Sequence, residues 1–319
     1  MDSITQAALG AAVGEAVLGK RIGVRGAVLG ALVATVPDLD IVFYLFFDKY
    51  EMLSIHRGMS HSIFFSLIGA LIIALILKRI KWTREMSYLK LWLFSWITLF
   101  THILLDAFTA YGTQLFLPFS NQRVGFDSIN VVDPVYTIPL LVGLICSIYF
   151  FKRKPSRSLY NYAGIVVSSF YLLCTLGVKQ HVKKHFLLEL AEQNISHTAL
   201  LTMPVGVAGV NWYGVAKTDE GLYMHKYSII SDEHPPFEYF PINDHLLADL
   251  NPVFVNKMKW FSKGFYTVAE HQNAIRFYNL QVDMRGVVHL ADTKAPTAGY
   301  FEIVPREEGG FEFSSGAHK

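Results

Sequence analysis

The chain reads as an α-helical polytopic membrane domain, residues 1–179 with five or six spanning helices, followed by a smaller, mainly β soluble domain, residues 180–319. Three observations carry that reading. Hydrophobic residues make up 52% of the 319 and charged residues only 17%, with a mean hydropathy of +0.32, a balance rare in water-soluble domains. Apolar runs of near-spanning length crowd the first half. Basic residues sit in short clusters beside those runs and form no broad patch, so a net charge of +2 gives no case for a nucleic-acid partner.

In chain order, Ser3–Gly19 is rich in Ala and Gly with Glu15 as its one charge, which suits a span that packs through small residues and buries Glu15 with a partner, the alternative being a helix that lies in the interface with Glu15 at its cytoplasmic face. No basic region precedes it, so it reads as a retained helix and not a cleaved leader. The runs Gly26–Phe47, Ser62–Leu77, Leu89–Leu105, Val135–Phe151 and Tyr160–Val178 each approach the roughly 17–25 residues that a spanning helix needs. Three basic clusters fix the orientation: Lys20, Arg21 and Arg25; Lys78, Arg79, Lys81, Arg84 and Lys90; Lys152, Arg153, Lys154 and Arg157. By the positive-inside rule those loops are cytoplasmic, and segments 48–61, 106–134 and everything after about residue 179 lie on the opposite side. From there the composition changes. The amphipathic stretch KQHVKKHFLLELAEQN leads into Thr198–Lys319, where Gly, Pro, Tyr and alternating patterns such as Gly221–Ile230 predict strands joined by turns. The two cysteines, Cys146 and Cys174, lie in apolar segments, which excludes a disulfide framework and a Cys-based zinc finger. Any metal here must use His and carboxylates.

Three motifs supply such groups. In VPDLD, Asp38 and Asp40 interrupt an apolar run, where a carboxylate costs several kcal/mol unless paired, protonated or bound to a metal. Pro37 allows a local helix break that lets both acids approach one centre; the bland reading ends a helix at Pro37 with two solvated acids. In HRGMSHS, His56 and His61 are separated by about 500° of helical rotation, so convergence needs the turn that Gly58 permits, with Ser60 capping a helix that begins near His61. The alternative is an interfacial loop whose histidines touch water or headgroups. In THILLDAFTAYGTQL, His102 and Asp106 are four apart and share a helical face, as metal ligands or as a plain His–Asp bond that pins helices. The charge-derived topology puts all three motifs on one side. Asp127 and Asp133 lie in the same external loop and could complete a ligand set or serve as a base, although Asp133-Pro134 is also an ordinary helix start. His181, His185, His197, His225, His234 and His245 show no convergent spacing and read as structural or solvated.

The ordered series PDLD, HRGMSHS and HILLDAFTAYGTQL, preceded by MDSITQAALGAAVGEAVLG, resembles a bacterial family of membrane-bound metal-dependent hydrolases, over roughly residues 1–150. Members of that family related to a LexA-regulated inner-membrane protein share the matching motifs. The resemblance implies that Asp38, Asp40, His56, His61, His102 and Asp106 hold a divalent metal, zinc first and manganese as a second fit, in the bacterial inner membrane. Gln6 stands where many relatives carry His. The implied chemistry is attack of a metal-activated water on an ester or phosphoester, with Asp40 or Asp133 as general base. A site at the membrane surface points to the lipid bilayer as the chain's surroundings and to a lipid headgroup or cell-envelope component as substrate. Two other classes stay open: a non-catalytic scaffold or metal-responsive regulator in which the cluster is structural, and an ion-coupled transporter, which the lack of an evident inverted repeat disfavours.

Overall fold

A computed structural model of the chain describes all residues except 151–153, 155, 232–234, 282–295, 298, 306–310, 318 and 319. Lys152 and Arg153 of the third basic cluster, and His234, lie outside the described residues. The chain divides into two compact units, Met1–Phe46 with Ile55–Leu176, and Phe47–Ser54 with Gly177–Lys319.

In the first unit, helix α1 (Ser3–Ile22) starts where the Asp2 carboxylate accepts from the Thr5 amide. It turns at Gly23 into α2 (Val24–Ala34), and the two helices meet backbone to backbone. A Cβ added at Gly14 would lie 2.1 Å from the Gly26 carbonyl oxygen, and one at Gly30 would lie 1.9 Å from that of Gly10, so only glycine fits at the crossing. Glu15 is buried as expected, accepting from Arg157 Nη2 at 2.5 Å and Ser147 Oγ at 3.1 Å. Pro37 lacks the N–H that would continue α2, and the chain bends by 47° into a 3₁₀ helix, Pro37–Leu45. After α3 (Lys49–Ile55), which lies mostly in the second unit, come α4 (Ile63–Arg79), α5 (Tyr88–Ala107), α6 (Pro134–Ile145), which continues as one π turn over Cys146–Phe150, and α7 (Arg157–Glu192). Ser62, not Ser60, caps α4, its hydroxyl accepting from the Phe65 amide at 3.0 Å; Ser60 is engaged elsewhere.

Among the described residues, α5 and α7 are long and apolar enough to cross a membrane, and up to four spans result if each broken pair, Val24–Ala34 with Pro37–Leu45 and Lys49–His61 with Ile63–Arg79, counts as one. Exposed faces carry Leu71, Ile72, Leu75 and Ile76 on α4 and Val166, Val167, Phe170 and Leu173 on α7, the pattern of a surface that meets lipid.

Among its described residues the second unit contains two four-stranded antiparallel sheets in sequence order, β1 (Ala199–Val205), β2 (Asn211–Lys217), β3 (Gly221–Ser228) and β4 (Glu238–Pro241), then β5 (Tyr266–His271), β6 (Ala274–Asn279), β7 (Gly299–Pro305) and β8 (Phe311–Ala317). Helix α8 (Pro252–Phe261) lies between them in sequence. The expected β character is present. Tyr50 of α3 stacks on Phe254 at 4.9 Å and Glu51 pairs with Lys257 at 3.0 Å, which ties 47–54 to this unit. The amphipathic stretch after the last apolar run continues α7 to Glu192, because Val182, Phe186 and Leu190 recur every four residues and are all buried. Val182 and Phe186 pack on Trp212 of β2. A Cβ at Gly214 would stand 2.5 Å from the Phe186 ring, so this glycine is what lets the helix seat on the strand.

Candidate metal centre

Four side chains from three segments of the first unit aim at one point. Asp38 comes from the 3₁₀ helix after Pro37, His61 from the turn before α4, and His102 and Asp106 from one face of α5. The two imidazole Nε2 atoms are 3.4 Å apart. Asp38 Oδ1 lies 3.3 Å from His61 Nε2 and 3.5 Å from His102 Nε2. Asp106 Oδ2 lies 3.3 Å and 3.8 Å from the same two atoms. A tetrahedral zinc ion with bonds of about 2.0–2.1 Å has donor atoms ~3.3 Å apart, so the donor set matches the size of such a site in type and spacing. His102 Nδ1 and Gln6 Oε1 are buried with no hydrogen-bond partner among the described residues.

The two acids of VPDLD part company at this centre. Two residues of 3₁₀ helix rotate by about 240°, and they place Asp38 against His61 Nε2 and Asp40 near His61 Nδ1 at 3.5 Å, on opposite edges of one ring. Asp40 thus lies behind the four donors. It accepts from the Arg57 amide at 3.1 Å and from Ser60 Oγ at 3.0 Å, and it meets His56 Nδ1 at 2.9 Å. Ser60 Oγ also sits 2.9 Å from His61 Nδ1, so His61 is clamped on the side away from the donor cluster. Among the described residues His56 joins the group through its bond to Asp40, and its ring stands edge-on to that of His61 with centroids 6.1 Å apart. Asp133 is committed to the start of α6, where Oδ1 accepts from the Val135 and Tyr136 amides while Tyr171 Oη donates to Oδ2 at 2.8 Å.

Gln6 Nε2 donates to Asp106 Oδ1 at 3.0 Å and to the His102 carbonyl at 3.2 Å. The Met1 amino group also donates to Asp106 Oδ1. Arg57 is the residue that sequence reasoning passed over. With a left-handed φ of 56°, it places Nη2 3.3 Å from Asp106 Oδ1 and Nη1 2.9 Å from Thr109 Oγ1. Its guanidinium and that of Arg123 lie 4.9 and 4.4 Å from the Tyr111 ring centre. The signal was its place inside HRGMSH, between the two histidines.

Residues 1–182, which contain all of these groups, match the family described as YdjM inner membrane protein. The chain belongs to that family. Within the curated relatives, the uncharacterized protein YfhP of Bacillus subtilis (strain 168) is 32% identical over 191 residues, 58% of this chain and 56% of YfhP. The inner membrane protein YbcI of Escherichia coli (strain K12) is 32% identical over 122 residues, 38% of this chain and 69% of YbcI. The chain therefore spans little more than half the length of YfhP. No solved structure matches it. The YdjM family is one of inner membrane proteins, in keeping with the apolar helices of the first unit, and neither the family description nor the relatives' names state a reaction.

Proposed function

We propose that the chain is a membrane-bound metal-dependent hydrolase of ester or phosphoester bonds in a lipid or cell-envelope component, with His61, His102, Asp106 and Asp38 as ligands of a zinc or manganese ion. The observation that supports this reading above all others is the spacing: the two imidazole nitrogens lie 3.4 Å apart and each carboxylate lies 3.3 to 3.8 Å from both, with all four donors within 4.8 Å of one another. A divalent ion held there supplies Lewis-acid activation of water at neutral pH. Asp38 is the donor through which solvent reaches the group, since its side chain is 25% exposed against 2% or less for the other three. It sits on the short 3₁₀ segment, so the side of the centre that solvent reaches is the side Asp38 closes. Asp40, offered by the sequence as ligand or base, orients His61 and keeps its Nε2 towards the donors. Asp133, the other base candidate, is held by the α6 cap. Arg57 puts a cation beside the centre, which favours an anionic phosphoester over a neutral ester.

The remaining proposals concern topology: five or six spans, basic loops inside, and the second unit outside the cytoplasm of the bacterial cell. In a chain with Cys146 and Cys174 replaced by serine, single cysteines at Asp48, Asn121 and Thr218 react with an impermeant maleimide from outside, and those at Lys81 and Lys154 do not. Labelling of Asn121 only from the cytoplasm would separate the motifs from one shared side.

The count of protein donors favours one second reading. Four protein ligands are the pattern of a structural zinc site, whereas a catalytic one keeps a position open, so a metal that locks helices without turnover also accounts for the geometry. Metal analysis of the detergent-purified chain, paired with hydrolysis of a chromogenic phosphodiester and a fluorescent phospholipid, decides between them. The hydrolase reading expects about one ion at this centre and activity abolished by chelator and restored by zinc or manganese. Bound metal with no turnover of either substrate leaves the structural reading standing, and a folded chain with no metal at this centre removes both.

A further inference from the structure

We propose a second divalent-metal site, of first-row zinc-type chemistry, in the C-terminal unit, formed by His185 and Glu189 of α7 with His225 of β3. It does not rest on the hydrolase reading or on the membrane centre. Sequence spacing reveals only half of it, because His185 and Glu189 are one helical turn apart while His225 arrives from a strand forty residues on. The fold brings them together. The ligand atoms of all three lie within 4.8 Å of one another. His185 Nε2 is 3.1 Å from Glu189 Oε1, and His225 Nε2 is 2.8 Å from Glu189 Oε2, so both imidazoles turn the same nitrogen to one carboxylate.

The surroundings hold those rings in place. His225 pairs across the sheet with Gly214, the residue whose missing side chain admits Phe186, and the Phe186 and His225 rings meet edge to face at 5.5 Å. Phe237 stacks on His225 at 4.7 Å, and Tyr227 lies 4.0 Å from the His185 ring. The close approach of helix to strand thus also sets the donor geometry. Burial is graded: the side chains of His225, Glu189 and His185 are 1%, 13% and 22% exposed, so one flank is closed by the core and the other admits solvent. Two imidazoles and a carboxylate with one open side form a three-ligand zinc set whose fourth position takes water. An ion there would cross-link α7 to β3 and stabilise the seat of the helix on the sheet by mass action. The competing account is a hydrogen-bonded His–Glu–His triad that needs no ion.

Zinc alone, titrated into the full detergent-solubilised chain and counted after gel filtration, tests this. Glu189→Gln, which keeps shape and hydrogen bonding, and His225→Gln each lower bound zinc by one equivalent and abolish any zinc-dependent rise in thermal midpoint that belongs to this site. The His61→Ala/His102→Ala chain, with the membrane centre disabled, retains that equivalent. If His225→Gln does not fold, His185→Gln on the exposed flank replaces it with the same expectation. Unchanged zinc stoichiometry in folded Glu189→Gln, or no zinc bound by the His61→Ala/His102→Ala chain when it folds, overturns the proposal and leaves the hydrogen-bonded triad.

Discussion

The two units bury polar groups in opposite settings. In the first, Asp38, His61, His102 and Asp106 meet in a unit whose helices turn Leu75, Ile76, Phe170 and their like outward, and their partners are one another and a few further polar groups such as Arg57, Gln6 and Asp40. In the second, His185 and Glu189 sit on an amphipathic stretch whose Val182 and Phe186 fill the interior with Trp212. An ionisable residue in an apolar run is informative by itself, because its desolvation cost demands a partner. The same residue on an amphipathic helix becomes informative only when its partner from another element is known.

The sharpest way to break this contrast is to remove donors from the first unit. His61→Ala, His102→Ala and Asp106→Ala each abolish metal binding at the membrane centre, while His181→Ala leaves it unchanged. The losses do not add, since one missing ligand disables a closely coordinated ion, and a double variant looks little worse than the weaker single one. Metal content after purification checks this. Full occupancy in all three folded variants would make the cluster a hydrogen-bonded helix lock.

Next in size is Phe186→Ala. Its ring is fully buried against Trp212 and fills the space that Gly214 leaves, so its loss costs the C-terminal unit about 3–5 kcal/mol in denaturant unfolding. A cost below about 1 kcal/mol would mean that the lower half of α7 is not part of that core.

These two variants also mark what the sequence could show. Asp38, His102 and Asp106 were legible because each interrupts an apolar run, and Pro37 announced the helix break; His61 was legible only as one of the histidine pair of HRGMSHS, and the motifs grouped Asp40 and His56 with these four as ligands. The division of labour between Asp38 and Asp40 was not legible, since it depends on the 3₁₀ rotation that follows Pro37, which no spacing rule supplies. Likewise α7 was divided at the end of its apolar run, although the four-residue recurrence of Val182, Phe186 and Leu190 carries the helix onward. The convergence of His185 with His225 depends on a helix seating on a strand, and nothing local encodes that.

Asp40→Asn sharpens the comparison within the first unit. Asparagine keeps the size but not the charge behind His61, so metal affinity at the membrane centre falls by roughly 10–100-fold without being lost. Zinc competition against a chelator of known affinity measures it. A loss as complete as that of His61→Ala would make Asp40 a ligand in its own right.

The smallest effect belongs to the second unit, where a carboxylate is stabilised at the surface by ordinary partners. Asp244 Oδ2 meets Lys259 Nζ at 2.6 Å, and Tyr266 Oη donates to Oδ1 at 2.5 Å. Burial alone would raise the Asp244 carboxyl, but these two contacts outweigh it and hold it below the usual carboxylate value of 3.8. A depressed folded value means that the contribution to stability is present above pH 3.8 and is lost as pH falls through the lower folded value. The Asp244 side chain is about half exposed, so solvent and salt screening keep the contribution under about 1 kcal/mol. Asp244→Asn therefore lowers the unfolding midpoint of the C-terminal unit slightly at pH 7, less so at high salt, and the wild-type and variant curves converge as the pH is taken below 3.8. A difference that persists unchanged into strong acid would show that the side chain acts through shape and hydrogen bonding, with its charge irrelevant.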